Sequence, residues 1–228
     1  MKKMFGILGI IVIGFFMTDS ADAQFFPPEF GTNIGFSFPA GDFAAEASAA
    51  GGGKRGGYAR LGFALGADVT FGLNENRTLN WMNSLIFYSN PTNYVNVFSS
   101  LIVEGGELSS DAWIILTPLT GIRWNIPASE QVDFMLFGQV GAMYGQSPEI
   151  YIEDQFGQSA TQKTAAANSF AYAMGGGILI NDLISVTLRF VRGNPEYTIE
   201  TTGVDQQVTN TTFLQETPII TFVGGVHF

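Results

Sequence analysis

From Arg60 to Leu73 the chain sets Leu61, Phe63, Leu65, Val69, Phe71 and Leu73 against Arg60, Gly62, Ala64, Gly66, Asp68 and Thr70 on alternate positions. Side chains of a β-strand point to opposite faces in turn, so this stretch reads as a strand with one bulky apolar face and one small or polar face. The contrast recurs. Ile184, Val186, Leu188 and Phe190 oppose Ser185, Thr187 and Arg189, while Phe170, Tyr172, Met174, Ile178 and Ile180 oppose Ala171, Ala173, Gly175 and Gly177. Eight alternating segments can be marked, at residues 32 to 42, 57 to 73, 77 to 89, 110 to 126, 131 to 146, 168 to 181, 183 to 202 and 208 to 228. None shows the 3.6-residue stripe of an amphipathic helix, so the fold class is all-β.

Alternation also describes a soluble barrel with its apolar face inward, and the placement of charge separates the two. Within the cores of these strands, Arg60, Asp68, Arg123, Asp133 and Arg189 all share the face opposite the bulky residues. An Arg facing lipid at the bilayer midplane costs about 2 to 4 kcal/mol, so a membrane barrel must keep its outer face clear of charge. The small-residue face suits the narrow interior of an eight-stranded barrel, which side chains just fill. The connections agree. Short ones (Asn74-Glu75-Asn76, the stretch Pro127-Ala128-Ser129-Glu130, and Asn181-Asp182) alternate with long ones at residues 43 to 56, 90 to 109, 147 to 167 and around 203 to 207. Transmembrane barrels show this asymmetry, with short periplasmic turns and long extracellular loops. Trp81, Phe71, Trp124, Phe134 and Phe228 then form one aromatic girdle, and Phe87, Tyr144, Phe170, Tyr172 and Phe190 the other.

Composition points the same way. Hydrophobic residues make up 46% of the chain and charged residues only 13%, which is sparse for a surface that must face water. With a net charge of −10 and no basic patch, nucleic acid is not an expected partner. There are no cysteines, hence no disulfides and no thiolate chemistry. Lys2 and Lys3, an apolar run from Met4 to Met17 and the Ala21-Asp22-Ala23 site read as a secretory signal over residues 1 to 23, leaving a barrel domain from 24 to 228. The apolar run is too short to span a bilayer as a helix.

The last segment ends Ile220-Thr221-Phe222-Val223-Gly224-Gly225-Val226-His227-Phe228, an alternating strand closed by an aromatic ring. It resembles the C-terminal strand of bacterial outer-membrane barrels. With the first strand Asn33-Ile34-Gly35-Phe36-Ser37-Phe38-Pro39-Ala40-Gly41-Asp42, it makes the mature chain similar to the small eight-stranded barrels of the OmpA/OmpX type. The resemblance implies an antiparallel up-and-down transmembrane barrel in a bacterial outer membrane, surrounded by lipid and lipopolysaccharide. It further implies that Phe222, Val226 and Phe228 form a signal read by the barrel-assembly machinery. No peptidoglycan-binding domain follows the barrel, so wall anchoring is not implied.

No catalytic, cofactor or metal site is expected. Some similar barrels hydrolyse lipid A or peptides with a His near the outer leaflet, but the single histidine here, His227, falls at the periplasmic rim. Gly51-Gly52-Gly53-Lys54-Arg55 fails the phosphate-loop pattern, with Ser48 where a Gly is needed and Arg55 where a hydroxyl is needed. Glu149, Glu153 and Asp154, with Glu104, Glu107 and Asp111, offer oxygen ligands for a hard cation but in no calcium-loop spacing, and read better as solvated charge. The expected role is non-enzymatic, structural or in surface interaction with an extracellular partner. The alternative is a conduit for hydrophobic solutes, and Met82, Phe137, Gln139 and Arg189 on interior positions favour a plugged bore.

Three local expectations complete the reading. Pro39, Pro118 and Pro218 lie within strands and predict bulges. A turn centred near Ala128 predicts Arg123 opposite Asp133 as an inward ion pair. Tyr197 to Thr202 and Val208 to Phe213 are rich in β-branched and aromatic residues and predict a hairpin above the membrane, joined by Glu149 to Ile152 in a small projecting sheet.

Overall fold

The computed structural model describes residues 27 to 45, 56 to 93, 107 to 153, 158 to 202 and 207 to 228. The signal segment and the glycine-rich stretch 51 to 55 lie outside them. In chain order the elements are β1 (Glu29–Pro39), the short helix α1 (Gly41–Ala44), β2 (Gly62–Gly72), β3 (Leu79–Asn90), β4 (Glu107–Ser110), β5 (Trp113–Pro127), β6 (Val132–Gln146), β7 (Ile150–Glu153), β8 (Ser159–Thr164), β9 (Ala167–Ile180), β10 (Ile184–Gly193), β11 (Glu196–Thr202), β12 (Val208–Leu214) and β13 (Thr217–His227).

Eight of these strands close a barrel in the order β1-β13-β10-β9-β6-β5-β3-β2, every pair antiparallel. Closure falls between the first and last strands, where Phe36 lies opposite Phe222 and Gly31 opposite His227. Closing the sheet leaves no edge in the barrel wall, which satisfies every strand inside a bilayer where water cannot. Gly121 shows how tightly the wall is drawn: a Cβ there would lie 2.0 Å from the Gly138 carbonyl oxygen.

The bulky faces turn outward. Ile34, Phe36, Phe63, Trp124, Phe134, Leu136, Phe170, Met174, Leu188 and Phe222 are all exposed, Phe170 at 68%. A soluble monomer does not display a continuous apolar belt on this scale. Aromatic pairs mark its two margins, Phe71 with Trp81 (5.8 Å) and Phe30 with Phe228 (6.5 Å) at the turn end, and Tyr172 with Phe190 (6.4 Å) towards the loop end.

Two local expectations are corrected. No bulge forms at the prolines, because Leu116 lies opposite Tyr144 and Leu119 opposite Gly141 in one continuous register across Pro118. Pro39 closes β1 and Pro218 is second in β13, positions near strand ends where a missing N–H does least harm. The pairing of Arg123 with Asp133 also fails. The register places Phe137 opposite Arg123 and Pro127 opposite Asp133, since the connection is centred on Glu130 rather than Ala128.

The segments at 183 to 202 and 208 to 228 each break in two. At Asn194-Pro195 and Gln215-Glu216 the chain leaves the barrel strands β10 and β13 and enters β11 and β12. These join β8, β7 and β4 in a second sheet of five strands, ordered β12-β11-β8-β7-β4. The projecting sheet is present and larger than expected, with β4 and β8 added to the foreseen segments.

Candidate functional site

The turn-end half of the bore is polar. Asp68, Arg123 and Arg189, all inward-facing, are at most 4% exposed. Arg189 Nη2 lies 3.8 Å from Asp68 Oδ1, its guanidinium stacks 4.9 Å from the Phe137 ring centroid, and Asn33 Nδ2 donates to Asp68 Oδ2. Arg123 Nη2 bonds Glu29 Oε2 at 3.0 Å, and Arg77 from the β2–β3 turn holds the other oxygen of the same carboxylate. Gln139 Nε2 donates to Ser84 Oγ at 2.9 Å. Asp133 is only half-buried at the rim, and Arg60 lies before β2 at the loop-end mouth, where its carbonyl accepts from Asn90 Nδ2. The structure therefore brings Asp68 and Arg189 together and leaves Asp133 and Arg60 apart from them. Glu29 and Arg77 were missed, although Glu29 shares the inward parity of Gly31 and Asn33.

His227 is buried at the turn end with Nε2 2.9 Å from Ser185 Oγ. A serine within reach of a histidine is the start of a nucleophile, but among the described residues no carboxylate bonds the other ring nitrogen to orient it. The pair reads as a satisfied buried hydrogen bond. No group of three or more acidic or histidine side chains gathers on a metal-sized site among the described residues; Glu104 and Asp154 lie outside them.

The loop-end half holds a hydrophobic cluster with buried polar groups set into it: Ser37 Oγ donates to Asn90 Oδ1 at 2.9 Å, and Thr117 and Thr217 are buried as well. Ile86, Tyr88, Ile115, Met143, Ala171, Val191 and Ile219 fill the bore. Above them sits an aromatic stopper: Phe43 of α1 meets Trp113 edge-on at 5.3 Å, Trp113 meets Tyr197 at 5.5 Å, and Tyr197 stacks on Phe213 at 5.6 Å. Trp113 Nε1 donates to the Gly57 carbonyl at 2.7 Å, tying the first long loop over the mouth. Gly145 is required here, because a Cβ would lie 2.0 Å from the Tyr197 hydroxyl. Burial raises the Tyr197 phenol above its ordinary pKa and keeps it neutral.

The second sheet stands on this stopper. Tyr197, Ile199, Ile150 and Phe213 face down and are buried. Beyond them the β11–β12 hairpin rises clear, with Glu200 opposite Asn210 and Thr202 opposite Val208, and residues 208 to 212 all exposed. At the sheet's two ends lie β12, whose sequence Val-Thr-Asn-Thr-Thr-Phe-Leu carries no charge and no proline, and β4, which begins with Glu107.

No protein-family model matches the sequence, and no curated protein matches it. Solved structures do match. A major outer membrane protein from Thermus thermophilus aligns over 89% of this chain and 100% of its own, with a TM-score of 0.54 at 10% identity. The fold is that of the small outer-membrane β-barrels. Ail, the attachment invasion locus protein of Yersinia pestis, aligns over 89% of this chain and 100% of its own at 14% identity, with a TM-score of 0.48. OprG from Pseudomonas aeruginosa covers 88% of this chain and 95% of its own at 13% identity, with a TM-score of 0.49. A closed barrel with an apolar belt belongs in the bacterial outer membrane, with the turn end periplasmic and the second sheet outside.

Proposed function

We propose that the protein is a non-enzymatic surface-interaction barrel that captures an extended polypeptide by strand addition to the free edge of β12. The observation that carries this reading is the unguarded edge. Natural sheets protect exposed edges with Lys, Pro or bulges, whereas β12 presents a short uncharged run rich in β-branched residues, and no strand of the described residues lies on its far side. Unpaired backbone groups recruit a partner strand with little demand on its sequence. The filled bore supports the same reading over a conduit for hydrophobic solutes, because charge pairs and an aromatic stopper occupy the path such a solute would take.

Tyr197 and Ile199 belong to the stopper, so the hairpin should be trimmed beyond them, joining Ile199 to its opposite residue Thr211 by a short turn. Cells displaying the parent should bind a reduced, alkylated, unfolded polypeptide, and cells displaying the trimmed, fully inserted protein should bind it at least tenfold less by titration. Equal binding by the two would remove the basis for the reading. The assembly role of Phe222, Val226 and Phe228 is part of the same proposal. All three face outward and are exposed, and deletion of Phe228 should reduce insertion without reducing export to the periplasm.

A further inference from the structure

Within its apolar belt the outward face of the barrel carries, among the described residues, one amide that lipid cannot satisfy. Asn83 points outward on β3, with Leu79 and Trp81 on one side of it and Leu85 and Phe87 on the other. It faces Thr120 across the ladder, and Thr120 likewise has Ile122 and Trp124 on one side and Ile114 and Leu116 on the other. Trp81 Nε1 donates to Thr120 Oγ1 at 2.8 Å, and Thr120 Oγ1 donates to Asn83 Oδ1 at 2.8 Å. The chain of bonds stops there. Asn83 Nδ2 makes no hydrogen bond among the described residues, and whichever way the amide is turned, one of its polar atoms is directed at hydrocarbon. Among the described residues, the other outward amides of the barrel strands are Gln146 and Asn168, both at the loop-end rim. Within the belt, Asn83 is alone among them.

We propose that this patch is a lateral interface with a second copy of the chain, paired about a two-fold axis along the membrane normal. Acyl chains offer no hydrogen-bonding group at this depth, and an unsatisfied polar group in hydrocarbon is expensive. A second barrel inserted in the same direction brings an identical amide to the same depth. Each Asn83 then donates Nδ2 to the free lone pair of the other's Oδ1, the self-complementary arrangement that two-fold symmetry requires. The neighbouring surface permits close approach. Ala67 is outward on β2, and Gly138 is outward on β6 with nothing within 4 Å of where its Cβ would be. Small residues flanking a polar group are the combination by which membrane segments associate.

The sequence has no cysteine, so single cysteines report proximity directly. The test uses the full mature chain folded in phosphatidylcholine vesicles, with Leu85→Cys beside Asn83 and Leu188→Cys on β10 as the control position. Mild oxidation should give disulfide-linked dimers through Leu85→Cys and only collisional amounts through Leu188→Cys. Adding Asn83→Leu to Leu85→Cys should lower the dimer fraction about three- to tenfold while the barrel stays folded and heat-modifiable. Energy transfer between labelled parent chains, followed as lipid is added, should show a dimer that dissociates on dilution. A monomer at every protein-to-lipid ratio, equal cross-linking at the two positions, or full dimerisation with Asn83→Leu would each overturn the proposal.

Discussion

Above Leu119 and Ala173 the bore is packed mainly with aliphatic side chains and aromatic rings, and its buried polar groups, Ser37, Asn90, Thr117 and Thr217, are uncharged, whereas below them Arg189, Asp68, Arg123 and Glu29 cross it as ion pairs. The same eight strands build both halves, with inward positions that alternate with equally apolar outward ones. What differs is the company each half keeps. The loop end is covered by α1 and the second sheet, which bring Phe43 and Tyr197 down onto Trp113, with Phe213 stacked behind Tyr197, and make a core worth filling with hydrocarbon. The turn end has only short connections, and polar groups there have water at the rim and one another within. A buried ion pair contributes little net stability over a packed apolar pair, but removing one member is costly. The outer half therefore resembles the core of a soluble domain, and the periplasmic half resembles a lock.

The sharpest way to break this contrast is Trp113→Ala, which should cost about 3 to 5 kcal/mol in urea unfolding from vesicles, because it removes a ring that touches both Phe43 and Tyr197. A cost below about 1 kcal/mol would mean that the stopper is not a core. Glu29→Ala comes next, leaving Arg123, only 1% exposed, without a carboxylate. Fully dry pairs lose about 3 to 5 kcal/mol on such a change, and the 25% exposure of Glu29 lowers the expectation to about 2 kcal/mol. In a double-mutant cycle Glu29→Ala and Arg123→Ala should be non-additive, and Asp133→Ala with Arg123→Ala additive within about 0.5 kcal/mol. Raising salt to about 1 M, where the screening length is about 3 Å, should shrink the Glu29→Ala effect and leave the Trp113→Ala effect unchanged. An equal response in both halves would dissolve the distinction. The smallest expected effect is that of Thr209→Lys with Thr211→Lys on the exposed β12, within about 0.5 kcal/mol in stability, yet enough to guard the edge and abolish polypeptide capture by cells.

The sequence determined which face of each strand meets lipid, and with it the strand number, the alternation of short and long connections, and the inward positions of Asp68, Arg123 and Arg189. Those features are legible because lipid imposes its rule on each residue separately: within the apolar belt a charge may not face outward, and the outward Arg192 stands near the loop end of β10, paired with Glu216 at 2.9 Å. The partners were decided only by the tertiary structure. Centring one connection two residues further along moves the residue opposite Arg123 from Asp133 to Phe137, and no periodicity reports that shift. The carboxylate that Arg123 holds is 94 residues away, on a strand that is not its ladder neighbour, and is reached through the bore. The outer sheet divides in the same way. The β11–β12 hairpin shows in its own residues, whereas β4 and β8, with Glu107-Leu108-Ser109-Ser110 and Ser159-Ala160-Thr161-Gln162-Lys163-Thr164, have no apolar alternation and become strands because neighbouring loops offer them a ladder. A solvent's demand acts on single residues and can be read one residue at a time; a hydrogen-bonded or ionic partner is a property of two positions, and only the closed barrel brings them together.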